Sequence, residues 1–373
     1  MRTRRGASSV ARGKRRVFGL AIDEKVQWST AFVDEKTEFE EGTFDQIQIA
    51  GPWRPDIDLQ KELTLALKGL QRERPEIFRD CGGVGISIVG FVDRVKKRLV
   101  SVALKNWFPR HNSFIADFHE MFHALGVECV IENDDTLNVQ NDASAKALSE
   151  YYEQREDVAE SLLYLMFDEG VNGGIIVGKD NLASQRHPEI GHSRPVRHEL
   201  DRTFNGTCPV HGSCYEGLVS AARIRRSWGG ALPPGGFNLA DLPEEHDAWN
   251  IVAYYIAQLC LNGALFLDPG RIVLAGSVIF GDRDDAASER KVFDLLFPLI
   301  WSEFERLNGP YPQYEAVEKF IRRARIKPAH ANVMGALQLA RQVALTDKNE
   351  PIEAARSKLR LVIDNPSPSD ERE

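Results

Sequence analysis

His187-Pro-Glu189-Ile-Gly-His192, followed by Cys208-Pro-Val-His211-Gly-Ser-Cys214-Tyr-Glu216-Gly-Leu-Val-Ser220, is the stretch that says most about this chain's architecture. The spacing Cys-x2-His-x2-Cys, with His192 upstream, offers two thiolates and two imidazoles. Tetrahedral Zn²⁺ takes such ligands, and four protein ligands make a closed, structural site. The same residues admit a plainer reading as two buried cysteines and surface histidines, because cysteine often behaves as a small hydrophobe.

Around this segment, strands alternate with helices. Residues 17–22 and 27–33 are short strand-like runs with few residues between them, a β-hairpin. Residues 58–71 have helical periodicity in Leu59, Leu63, Leu67 and Leu70. Residues 83–92 and 98–103 read as strands, 113–125 as a helix with Phe114, Phe118 and Phe122 on one face, and 129–131 as a strand. A helix opens at Asn141-Asp142 and runs over 142–152. Strands at 162–167 and 175–177 flank a turn at 168–174, and a turn-rich segment from Ser184 to Tyr215 holds most of the histidines. Residues 248–267 form a helix and 271–274 a strand. Helices follow at 287–307, with Ser288 near its start as a cap, and at 330–344. Such alternation means α/β. Two halves, each opening on a hairpin and carrying a glycine turn, suggest a duplicated nucleotide-cleft architecture.

The 373 residues are 43% apolar and 27% charged, which excludes collagen, coiled coil, disulfide scaffold and wholesale disorder. The length suggests two domains. The net charge of −8 is uneven: residues 1–16 carry seven Lys/Arg and no acid, leaving 40 basic against 55 acidic residues in the remainder. The apolar run after the tail stops at Asp23-Glu24-Lys25, too short for a secretory core, so 1–16 reads as a solvated, disordered basic arm. The acidic body opposes nucleic-acid binding. Residues 249–267 contain Asn250, Gln258 and Asn262 and end at Asp268-Pro-Gly, which fits a buried core helix better than a membrane span. Five cysteines suggest no disulfide framework, and a reducing cytoplasm is expected. Residues 348–373 read as a partly disordered tail.

Further motifs stand in order around the His/Cys segment: Gln140-Asn141-Asp142-Ala-Ser-Ala-Lys-Ala-Leu-Ser-Glu150, Glu245-His-Asp-Ala-Trp249, Ala253-Tyr-Tyr-Ile-Ala-Gln258, Asp268-Pro-Gly-Arg-Ile-Val-Leu-Ala-Gly276-Ser277 and Ala331-Asn-Val-Met-Gly335. Together they resemble the ROK family of sugar kinases and sugar-responsive repressors, most closely its fructokinase branch. The resemblance covers roughly residues 17–344. It implies an α/β, two-domain actin/hexokinase-like (ribonuclease H-like) fold with a cleft between the domains. Residues 17–141 would form the first domain and 142–347 the second, whose last helix can pack back on the first. It implies structural zinc on His192, Cys208, His211 and Cys214, pinning the loop that presents sugar-binding residues.

A polyol needs convergent carboxylates, amides and imidazoles, because each hydroxyl both donates and accepts. Asn106, Asn141, Glu189, His192 and Glu216 match the family's sugar-contacting positions. Asp142 matches the general base that takes the proton of the attacking hydroxyl. It also reads as the N-cap of the helix that follows. Lys25, Gly170, Gly173, Gly174, Gly276 and Ser277 fall where ATP would lie, with Mg²⁺ as its counter-ion. A homodimer is implied as well.

Two turns depart from the family pattern. Its first hairpin carries Asp-x-Gly-Gly-Thr against the phosphates; here the stretch is Ala21-Ile-Asp23-Glu24-Lys25-Val26. Its second phosphate loop, Gly-Thr-Gly-x-Gly-Gly, reads Asp168-Glu169-Gly170-Val-Asn-Gly173-Gly174. Glycines let backbone N–H groups approach phosphate, and carboxylates do not replace them. A carboxylate about 4 Å from a phosphate charge costs roughly 4 kcal/mol at an effective dielectric near 20, about a thousandfold in affinity if nothing compensates. Bridging Mg²⁺ or Lys25 are the compensating groups the sequence offers. Two expectations follow: an ATP-dependent hexose kinase with fructose favoured, or a sugar-binding pseudokinase that senses or regulates. The roughly sixteen residues before the first hairpin are too few for a repressor's helix-turn-helix domain. A zinc-stabilised interaction protein without a sugar is the blandest alternative.

Overall fold

Residues 17–22 are apolar and almost completely buried, as a strand covered on both faces must be. They form most of β1 (Arg15–Ile22), which pairs antiparallel with β2 (Val26–Val33) and parallel with β4 (Cys81–Ile88). With β3 (Phe44–Ile47) and β8 (Leu137–Asn141) they make a five-stranded sheet of order β3-β2-β1-β4-β8. A small sheet of β5 (Phe91–Asp93), β6 (Arg98–Ser101) and β7 (Ala116–Asp117) extends this first lobe. Helices α1 (Leu59–Glu73), α2 (Glu76–Arg79), α3 (Phe118–Ala124) and α4 (Glu128–Glu132) share its core with Leu63, Leu67 and Phe122. The computed structural model describes residues 15–23, 25–33, 44–47, 58–79, 81–101, 116–154, 161–177, 180–181, 187–230, 236–281, 285–310, 314 and 316–345.

The second lobe repeats the pattern. β9 (Ser161–Phe167) pairs antiparallel with β10 (Val171–Val177) and parallel with β12 (Arg271–Ala275). β11 (Asp180–Asn181) and β13 (Ile321–Arg323) complete the order β11-β10-β9-β12-β13. The two sheets therefore share one connectivity, the duplication the two hairpins suggested. Helices α5 (Asp142–Glu153), α6 (Tyr215–Val219), α7 (Ala221–Trp228), α8 (Ala248–Leu267), α9 (Ser277–Phe280), α10 (Ala286–Asn308) and α11 (Val317–Phe320) belong to this half of the chain. α8 is long and apolar enough to cross a membrane by length and composition, but most of it is buried, with Trp249, Tyr255 and Ile256 inside the second core.

The last helix, α12 (Pro328–Leu345), lies on the first sheet. Its backbone comes so close that a Cβ on Gly85 would stand 2.0 Å from Ala336 O and 2.5 Å from Ala340 N. Leu337, Ala340 and Ala344 pack with Val17, Ala31 and Val33 in a third apolar cluster.

Several elements differ from their predicted form. Residues 129–131 are helical in α4 rather than a strand. Three apolar residues are too few to fix a period, and only Val130 is buried, as one turn lying on a core requires. The strand of this region is β8. The helix predicted over 113–125 begins only at Phe118, where Asp117 accepts from the Glu120 N–H, and Phe114 lies outside the described residues. The helix predicted from Ala287 is capped by Asp285, not Ser288. Arg15 and Arg16, read as tail, begin β1. Residues 1–14 and 346–373 lie outside the described residues.

The packing of α12 makes a paired prediction. Gly85→Ala forces backbone apart and is expected to cost about 2–3 kcal/mol. Gly69→Ala, in a helix interior with nothing within 4 Å, is expected to stabilise by about 0.5–1 kcal/mol. Thermal melts of the two variants against the parent protein check both signs.

Candidate functional site

The turn-rich segment folds so that the side chains of His192, Cys208, His211 and Cys214 meet, their ligand atoms all within 4.8 Å of one another. Cys208 and Gly212 form an isolated antiparallel bridge that brings the ends of this loop together. His192 Nδ1 lies 3.2 Å from His211 Nδ1, 3.7 Å from Cys208 Sγ and 3.8 Å from Cys214 Sγ. Ligands at ordinary Zn–N and Zn–S lengths on a tetrahedron stand about 3.4 Å apart for two nitrogens and about 3.6 Å for nitrogen and sulfur. The donor set and its spacing fit zinc, and Cys208, His192, His211 and Cys214 would hold it. Burial pushes the Cys214 thiol up to about 12, and the neighbouring Cys208 adds to this. A dication reverses that preference, since the thiolate is the ligand.

His192 has two ring nitrogens and two partners. Nδ1 faces the cluster, while Nε2 is 3.7 Å from Glu189 Oε2. The other oxygen of Glu189 is 2.9 Å from His187 Nε2. Glu189 is thus held between two imidazoles. His192, expected to serve both metal and sugar, has its metal-side nitrogen and its open side separated in this way. The His187 ring is buried and packs on Phe91 of the first lobe, ring centroids 5.4 Å apart. Glu216, one residue beyond Tyr215 on α6, approaches the turn at 168–170 instead: its Oε2 accepts weakly from Val171 N at 3.4 Å.

Asp142 is the first residue of α5, and its N-cap is Asn141, whose Oδ1 accepts from the Ala143 N–H. The capping role read for Asp142 therefore belongs to its neighbour. Asn141 Nδ2 donates to Gly90 O at 3.1 Å, so its amide is engaged at both ends. The Asp142 carboxylate is almost completely buried, and Oδ2 accepts from Lys146 Nζ at 2.9 Å. No hydrogen bond to Oδ1 is formed among the described residues. Burial alone would lower Lys146, but the carboxylates of Asp142, then Asp168, then Asp23 outweigh it and hold the ammonium above its usual value.

The two acidic turns have partners of their own. Asp168 Oδ1 accepts from the Ser277 N–H at 2.6 Å, at the start of α9, and Asp168 O accepts from the Ala221 N–H. Glu169 pairs with Arg225 of α7. Asp23 accepts from Asn332 Nδ2 at 2.8 Å, and Asn332 Oδ1 accepts from the Ser87 hydroxyl. Lys25 is exposed at the hairpin tip, its backbone N–H bonded to Asp23 Oδ1.

The glycines expected against a nucleotide divide. Gly170 lies in the turn, whereas Gly173 and Gly174 are inside β10, opposite Leu165 and Tyr164. A Cβ on Gly174 would meet Ala143 O and Ala147 Cβ at 2.6 Å, so this glycine admits α5 onto the strand. Gly276 sits at φ +96, with Phe167 O 2.3 Å from where its Cβ would be. Asn106 lies outside the described residues. Lys146 and Asn332 were not singled out from sequence as site residues. The signal for Lys146 is a lysine among the small residues Ala143, Ser144, Ala145 and Ala147.

The ROK family profile matches residues 37–297. The chain belongs to the ROK family. A fructokinase of Zymomonas mobilis is 33% identical over 159 residues, 43% of this chain and 51% of its own length. A fructokinase of Lactococcus lactis is 30% identical over 193 residues, 52% of this chain and 60% of its own length. The chain thus spans about half to three-fifths of these curated relatives. Among solved structures, a ROK hexokinase of Thermus thermophilus aligns with TM-score 0.57 at 20% identity, covering 88% of this chain and 99% of that one. A ROK glucokinase of Streptomyces griseus, solved with glucose and AMPPNP, gives 0.57 at 18%, with 88% and 99% covered. A ROK transcriptional regulator gives 0.62 at 15%, with 88% and 78% covered. The fold is the two-lobed, actin/hexokinase-like one. Kinase and regulator share it, so the fold alone does not choose between them.

Metal analysis of the purified protein is expected to find one zinc per chain. Cys208→Ser and Cys214→Ser are each expected to lose it and to melt at lower temperature. Zinc is expected to be released more readily as pH falls, because protons compete for the thiolates and imidazoles.

Proposed function

We propose that the protein is an ATP-dependent hexose kinase, with fructose its favoured acceptor. The observation that carries this is Asp142: a buried carboxylate at the head of α5, one oxygen fixed by Lys146 and the other unengaged among the described residues. Gly90 and Phe91 tie it to the acceptor side. Gly90 O takes the Asn141 amide, and Phe91 packs on His187, which holds Glu189. Asn141, Glu189 and His192 would contact sugar hydroxyls, and Glu216 would brace the turn beside them. The fructokinase names of the relatives favour a ketohexose acceptor.

In the reaction, Asp142 orients the sugar hydroxyl and takes its proton. The hydroxyl oxygen bonds to the γ-phosphorus of ATP as the bond to the β–γ bridging oxygen breaks, and that electron pair leaves on ADP. Phosphoryl transfer asks a protein for positioning and charge stabilisation above all. Zinc, when bound, keeps the His192 loop in place. Mg²⁺, when bound with ATP, would offset the negative charge of the phosphates.

One observation favours a second reading, a sugar-binding pseudokinase acting as sensor or regulator. Asp168 already occupies the Ser277 N–H, an amide that would otherwise face a nucleotide. ADP release measured over a panel of hexoses with Mg·ATP separates the two. Turnover is expected, greatest with fructose, and Asp142→Asn is expected to lose about two to four orders of magnitude. Wild-type turnover no higher than that of Asp142→Asn, together with calorimetry showing sugar binding but none of Mg·ATP, would leave only the sensor.

A further inference from the structure

Lys146 is the buried ionisable group that the reading above uses only as a brace. It is 9% exposed on a stretch of α5 otherwise made of Ala143, Ser144, Ala145 and Ala147. A lysine is almost never buried without a partner, and an apolar side chain of similar shape would avoid the desolvation cost. The geometry gives a reason for the charge. Its Nζ is 2.9 Å from Asp142 Oδ2 and 3.3 Å from Met166 Sδ on β9, which leaves it against the base from one side and against the strand leading into the second turn from the other. Its remaining charged neighbours come from both lobes: Asp168 in the turn after β9 and Asp23 in the turn after β1. These are the two turns between which a phosphate chain would pass.

Donors beside the two turns are already engaged with their acids. The Lys25 N–H is taken by Asp23, the Ser277 N–H by Asp168, and Arg225 is drawn to Glu169. We propose that the Lys146 ammonium contacts the transferring phosphoryl group and stabilises its charge in the transition state. This rests on the kinase reading. As the sugar oxygen–phosphorus bond forms and the bond to the ADP oxygen breaks, the hydroxyl proton passes to Asp142. Lys146 keeps its three protons throughout, donating one hydrogen bond to Asp142 and another toward a phosphoryl oxygen. One side chain so serves base and phosphoryl group together, which ties its effect to kcat rather than to sugar affinity.

The test uses the full chain with its metal, Mg·ATP and the best hexose. Lys146→Met is expected to lower kcat by about 100- to 1,000-fold. Sugar affinity by calorimetry and zinc content are expected to stay within about threefold of wild type, since no sugar contact is removed. A brace acting only on structure would move sugar affinity, melting temperature and kcat together. Lys146→Ala supplies a second reading where the methionine variant fails to fold. It leaves room for a small cation, and ethylammonium is expected to restore turnover about tenfold or more while propanol of similar size does not. Turnover of Lys146→Met within threefold of wild type, or above it, overturns the assignment, as does equal rescue by the two additives or none. A wild-type protein without turnover on any hexose fails earlier, at the kinase reading, and takes this inference with it.

Discussion

The rest of the molecule depends on how closely α12 can approach its neighbours. Gly83 and Gly85 on β4 and Gly19 on β1 present no side chain where the backbone of this helix comes closest to the first sheet. On the other side Gly335 lies against α5, where a Cβ would be 2.5 Å from Ala145 C. The start of the helix is fixed by Glu150 of α5, whose carboxylate accepts the Arg325 N–H at 2.6 Å and the Ile326 N–H at 3.1 Å. Burial raises Glu150, and those two donors pull against it. α12 therefore sets the distance between α5, which carries Asp142 and Lys146, and the first sheet, which carries Asp23 and Ser87. Asn332, on the same helix, touches both Asp23 and Ser87. A longer side chain at any of these glycines would shift Asp142 relative to the turn after β1.

That constraint changes the meaning of the acid in the cleft. Read from sequence, the acidic residues at 23–24 and 168–169 oppose a nucleotide by roughly 4 kcal/mol for each close charge. Of those described, Asp23 and Asp168 are bound to donors, so part of their charge is already answered. An ammonium at the same range contributes a similar energy of opposite sign, and Lys146 stands among Asp142, Asp168 and Asp23. Glu169 matters less. It is 57% exposed, and its pairing with Arg225 is screened by water.

What could be read from sequence divides along physical lines. The His/Cys cluster was legible because its Cys-x2-His-x2-Cys spacing stands in the chain, and α8 because an apolar run of twenty residues is too long for a strand. The duplicated topology was legible in outline through its two hairpins. The glycines of 173–174 were not, because the same residue serves a phosphate turn and a close helix contact, and only the register of β10 tells them apart. The capping of α5 passed to Asn141 because Asx residues at neighbouring positions compete for one role and backbone geometry chooses. Lys146 has no sequence signature of its role. Its partners, Asp168 and Asp23, come from distant parts of the chain, and no local pattern announces a meeting of that kind.

The His/Cys loop reaches further than its own stability. His192 gives Nδ1 to the cluster, which fixes the ring and leaves Nε2 toward Glu189. Glu189 is met on its other oxygen by His187, and His187 packs on Phe91 across the boundary between lobes. The residue before Phe91 is Gly90, whose carbonyl receives the amide that caps α5. The acid proposed to bind sugar and the acid proposed to take its proton are thus both referred to one two-residue step, Gly90-Phe91, in the first lobe. A movement of that lobe would displace both carboxylates together. The His/Cys cluster stands at one end of that chain of contacts and α5 at the other. Loss of order in that cluster would therefore be carried, contact by contact, to the head of α5.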